Sequence, residues 1–81
     1  MRFSAFSRVI LLKDIPDEIL VAGDMGTIVE HHPATKDYSE GYEMEFFAGN
    51  GDTIAVVSVP ALDLREVTSF DVLHVRHTSV S

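Results

Sequence analysis

The segment from Gly41 to Val59, GYEMEFFAGNGDTIAVVSV, constrains the fold more than any other part of the chain. Tyr42, Met44 and Phe46 alternate with Glu43 and Glu45. In an extended chain this puts three large apolar side chains on one face and two carboxylates on the other. A helix would scatter both sets around its axis. Asn50-Gly51 follows, the strongest short hairpin signal, because both residues accept positive φ. Thr53 to Val59 then reads as the returning strand, closed by Pro60. An isolated hairpin is only marginally stable in water, so further strands must cover its apolar face.

The rest of the chain supplies them. Val9-Ile10-Leu11-Leu12 is a short apolar run with β-branched members, ended by Lys13-Asp14 and Pro16. It reads as a strand covered on both faces, being apolar on both. Ile15 to Leu20 reads as a compact loop whose Ile19 and Leu20 plug the core, in preference to one helical turn after Pro16. In GDMGTIVE, Gly23-Asp24 is turn chemistry, and Gly26 at a strand start signals a bulge or a close backbone crossing. Thr27-Ile28-Val29 is the second strand. Pro33 to Gly41 is the longest loop. Ala61 to Asp63 fits a single 3₁₀ turn, and Leu64 to Val67 a short fifth strand. Val72-Leu73-His74-Val75 has two open readings: a sixth C-terminal strand, or a segment laid across the end of the barrel.

Five short antiparallel strands with tight turns, and a 3₁₀ turn before the last, predict an all-β, small SH3-like barrel. At 81 residues it is one domain, residues 1–81. The expected core is Val9, Leu11, Leu20, Ile28, Tyr42, Met44, Phe46, Ile54, Val56, Leu62, Leu64 and Val67. The phase of the fourth strand stays open. Ile54 and Val56 share one face, Ala55 and Val57 the other, and both sets are apolar, so one side of the hairpin carries an exposed apolar patch.

A domain this small buries only about 60% of its unfolded surface. The chain has no cysteine, so neither a disulfide nor a thiolate metal site can add stability. Thirteen acidic against six basic residues give a formal charge of −7. That balance opposes nucleic acid and anionic membranes, both of which are bound largely through Lys and Arg, and favours a basic protein partner. The apolar run Val9 to Leu12 is too short for the core of a signal peptide, and no segment is long enough for a membrane helix. The expected location is cytoplasmic, with which the absence of cysteine is compatible.

The ordered pieces LLKDIPD, GDMGTIVE, GYEMEFFAGNGDTIAVVSV, LREV and DVLHVR carry a likeness. Together, from about Phe6 to Arg76, they resemble a bacterial family, domain of unknown function 4926. The resemblance implies a small SH3-like barrel and brings no catalytic residues. Some members stand beside a toxin-like protein, which implies an antitoxin-like role. A wider likeness is to the KOW motif of ribosome and transcription proteins, carried by Gly23-Asp24 and Gly26. Such motifs sit among basic residues, whereas Asp24, Glu30, Glu43 and Glu45 here are acidic.

His31-His32, His74 and His77 invite a metal reading, but residues one or three apart on a strand face opposite ways, so neither pair chelates as it stands. Catalytic carboxylates need a pocket that perturbs their pKa, and outward residues of a small barrel lack one. The expectation is no enzyme, no cofactor and no metal. Glu30, Glu43 and Glu45 then read either as a solvated face or as a docking surface for a basic protein, with Phe47 as its apolar anchor. Arg65 is expected to reach Asp63 or Glu66, or to hold the last segment through carbonyls. Gly23, Asp24, Gly26, Asn50 and Gly51 read as turn residues. The leading reading is a protein-binding module, antitoxin-like or chaperone-like. The alternatives are a KOW-like module for RNA or a ribonucleoprotein, and a structural homodimer.

Overall fold

The computed structural model describes residues 2–74. Five strands form one antiparallel sheet: β1 (Arg8–Leu11), β2 (Met25–His32), β3 (Gly41–Phe47), β4 (Thr53–Pro60) and β5 (Leu64–Glu66). The spatial order is β4-β3-β2-β1-β5. The chain meanders through four strands, then a 3₁₀ turn at Ala61–Asp63 returns it to pair with β1. That is the strand order of an SH3-like barrel. The outermost strands are β4 and β5, and among the described residues no ladder joins them.

The alternation in β3 does what its sequence requires. Tyr42, Met44 and Phe46 are buried, and Glu43 and Glu45 face away. β3 pairs with β2 on one side and β4 on the other, with Tyr42 opposite Val59 and Met44 opposite Val57. The core is completed by Val9, Leu11, Leu20, Ile28 and Leu64, all expected from the sequence.

Four expected core residues are elsewhere. Ile54, Val56 and Leu62 are exposed, and Val67 is half-buried. In β4 the inward places go to Ala55, Val57 and Val59, because a register shift opposite Phe46 and Phe47 leaves Ile54 unpaired and sets the phase. Within the 3₁₀ turn, Ala61 is the residue that packs inward. Phe3 is also in the core. Its ring meets Tyr42 edge-on at 5.4 Å, and the Tyr42 hydroxyl accepts hydrogen bonds from the Arg2 and Phe3 amides at 2.8 and 2.9 Å. A buried tyrosine needs a partner for its hydroxyl, and the N-terminal segment provides it.

Pro16–Glu18 is a 3₁₀ turn, closed by a bridge between Ile15 and Leu20. Leu20 enters the core as expected, but Ile19 does not: it ends the turn at φ 58 and is 85% exposed. The left-handed residue that closes this turn points its side chain outward.

The C-terminal segment is corrected as well. Ser69–His74 is an α-helix, α1, so the sixth-strand reading fails there; Val75 lies outside the described residues. The cause is local. The Thr68 amide donates to Asp71 Oδ2 at 2.7 Å, and the Asp71 amide approaches Thr68 Oγ1 at 3.4 Å. This reciprocal pairing is a capping box, which satisfies amides that a helix start leaves open. Its signature, Thr-x-x-Asp, stands in the sequence at Thr68 to Asp71.

Candidate partner-binding face

The outer face of β2 and β3 is built by register. Glu30 lies opposite Glu43, and Thr27 opposite Glu45, so the three carboxylates share one face. A β-bulge between Ile28 and Glu30 makes this possible: Val29 is the extra residue, 40% exposed beside the carboxylates. On β4, Val56 stands opposite Glu45 and Ser58 opposite Glu43. Phe47, 46% exposed, continues the Glu43–Glu45 side of β3. The face therefore has an acidic stripe flanked by Val29, Val56 and Phe47.

Two side chains tie the stripe in place. His32 Nε2 lies 3.3 Å from Glu43 Oε2, and its Nδ1 lies 3.8 Å from Glu30 Oε2. Thr53 Oγ1 donates to Glu45 Oε2 at 2.9 Å. His32 belongs to this face although the sequence reading left it apart. The available signal was its spacing of two from Glu30, which keeps both on one side of a strand. His31 turns to the other side, where its ring lies 5.0 Å from that of Tyr42 and its Nε2 meets Glu40 Oε2 at 2.7 Å. The two histidines thus join different carboxylates. Among the described residues no group of three or more His, Cys, Asp or Glu is arranged to hold a metal ion.

The turn residues have three distinct jobs. Gly23 adopts φ 97 and donates to the Leu11 carbonyl at 2.8 Å, while the Leu11 amide donates to the Asp24 carbonyl at 2.9 Å. The buried Asp24 carboxylate accepts from the Val21 amide at 3.0 Å. Gly26 lies inside β2 and not at its corner. A β-carbon there would stand 2.7 Å from the Phe46 ring and 2.8 Å from the Met44 methyl. Its need is space, with no positive φ involved. At the hairpin, the Gly51 amide donates to the Ala48 carbonyl at 2.9 Å and Gly51 alone takes positive φ, 92°. The connection is thus a longer loop over residues 48–52 and not a two-residue Asn-Gly turn. Asn50 Oδ1 accepts from the Asp52 amide at 3.0 Å, the side-chain turn favoured by asparagine.

Arg65 reaches a partner the sequence reading did not name. Its Nη1 and Nη2 each donate to an Asp71 carboxylate oxygen at 2.7 Å, and Nη1 also donates to the Glu66 carbonyl at 3.1 Å. This fork holds the Asp71 carboxyl far below the usual carboxylate range, with help from the Thr68 amide, and raises the Arg65 guanidinium. Arg65 is opposite Ile10 across the β1–β5 ladder, so α1 is tied to the Ile10 side of the sheet. Ile10 is only 1% exposed yet lies outside the main core cluster. With Val9 and Leu11 in that cluster and Ile10 buried outside it, β1 is covered on both faces, as its sequence requires.

Fold and face together define a small all-β domain, five antiparallel strands with an acidic outer surface. Residues 5–66 match the family described as Domain of unknown function (DUF4926). The chain belongs to that family. The match ends with β5, so α1 lies beyond it. Searches of the curated proteins and of the solved structures each returned no match. Among the described residues no helix is long and apolar enough to cross a membrane.

Proposed function

We propose that this domain is a non-enzymatic binding module whose outer face docks a basic protein. The observation that carries the reading is the stripe of Glu30, Glu43 and Glu45, held on one face by register and flanked by exposed Val29, Val56 and Phe47. Carboxylates of one sign on one face speed encounter with a basic surface, and apolar neighbours slow its departure. These carboxylates sit on an open sheet face and are engaged by His32 and Thr53, an arrangement that supports docking over acid–base chemistry. The resemblance to a family with members beside toxin-like proteins favours an antitoxin-like or chaperone-like role in the cytoplasm. The charge of −7 favours protein over RNA as partner.

A photo-crosslinking residue at Phe47, expressed in the native cell, tests this. The expected result is a discrete adduct with a basic protein that weakens in high salt. A control crosslinker at exposed Leu62, outside the face, gives none. An adduct with RNA, or equal labelling from both positions, overturns the reading.

A further inference from the structure

We propose that the open edge of β4 pairs antiparallel with β4 of a second copy, making a two-fold dimer through one continuous sheet. Among the described residues β4 pairs only with β3, so one row of its backbone donors and acceptors faces outward. Thr53 to Pro60 contains no charged residue, in a chain of net charge −7. Edge strands that must stay single carry charges, prolines or bulges to discourage pairing. Here the bulge at Ile54 and Pro60 sit only at the two ends. Between them Ala55–Val59 is regular and neutral.

The neutrality of this edge favours a second copy as occupant, and its alternation allows a self-complementary register. A two-fold axis at Val57 sets Val57 against Val57 of the second copy, Ala55 against Val59, and Val56 against Ser58. Residues directly opposite in an antiparallel pair share a face. Inward Ala55, Val57 and Val59 therefore meet inward residues, and outward Val56 meets outward Ser58. Val57 is only partly buried at the edge of the core, and this pairing covers its remaining surface. A basic partner finds its countercharge on Glu43 and Glu45, not on this neutral edge. Repulsion between copies is small as well. The two β3 strands lie three strand spacings apart, roughly 14 Å, beyond the screening length of about 8 Å at physiological ionic strength. Such a dimer keeps both acidic stripes open and places them on the same side, giving a basic partner two adjacent docking faces.

Sedimentation of the purified chain over a wide concentration range is the first measurement. The expected mass rises from 9.0 kDa toward twice that value. Val57→Lys sets two ammonium groups opposite each other across the axis and is expected to hold the chain at monomer mass. Because that residue is partly buried, a second measurement does not rely on its folding. The chain has no cysteine, so single-cysteine variants report register directly. Val57→Cys should crosslink to itself. Val56→Cys mixed with Ser58→Cys should crosslink faster than either alone, and Leu62→Cys should not crosslink. A monomer at every concentration, or a dimer without this crosslinking pattern, overturns the proposal.

Discussion

The two edges of the sheet are built in opposite ways. β5 has three residues, two of them charged, and α1 is latched beside it by the Arg65–Asp71 fork. β4 has eight residues, none charged, and no described strand pairs with its outer edge. Short, charged, covered edges resist pairing, and long neutral ones invite it. This small domain ties one edge down with its own chain and leaves the other without a strand partner among the described residues.

Both edges hang from the β2–β3 pair, so the largest effect comes from breaking that shared support. Gly26→Val places methyl groups into the space of Phe46 and Met44, both fully buried. Overpacking of this kind should cost about 2–3 kcal/mol in urea unfolding. A variant that unfolds like the parent would show that the core yields there. Tyr42→Phe comes next. It strips the acceptor from the Arg2 and Phe3 amides, and about 1–2 kcal/mol of stability should go with it. Hydrogen exchange should rise first in the N-terminal segment.

The latch itself is sharpened by pH. Asp71 has its pKa lowered in the folded chain, so its contribution is present above the unfolded carboxylate pKa of about 4 and is lost as pH falls through the folded value. α1 should therefore stay docked while ordinary carboxylates titrate, and release only at more acidic pH. Asp71→Asn should release it at neutral pH while β2 and β3 keep their amide protection. NMR of residues 69–74 reads both outcomes, and release at the ordinary carboxylate pKa would contradict the fork. The smallest effect on stability is expected on the outer face. Glu43→Lys with Glu45→Lys should change the unfolding free energy by less than about 0.5 kcal/mol. It should instead slow association with a basic partner and reduce the salt dependence of that step, as stopped-flow or surface plasmon resonance would show.

Much of this architecture is legible in the residues alone. Alternation from Tyr42 to Phe46 specifies both a strand and its buried face, because a period of two admits no other division. The two-sided apolar run at Val9 to Leu11 announces a strand covered on both sides, and Pro60 followed by Ala61–Asp63 marks the return turn. Glu43 and Glu45 share a face by strand period, whereas Glu30, two residues after inward Ile28, joins them only because the bulge at Val29 shifts the phase of β2.

Other features depended on contacts between distant residues. Ala55–Val57–Val59 and Ile54–Val56 are equally apolar, so local pattern cannot choose the buried set, and the register against β3 decides it. Gly26 reads as a turn residue in isolation; only the placement of Phe46 and Met44 over it reveals that its missing side chain is the point. Arg65 and Asp71 lie six residues apart, a spacing that implies nothing until β5 ends and a capping box turns the chain. Local periodicity determines which face of a regular element is apolar, because it is a property of one segment's backbone. Which of two apolar faces is buried, and which charges meet, is decided by packing against segments far away in the chain.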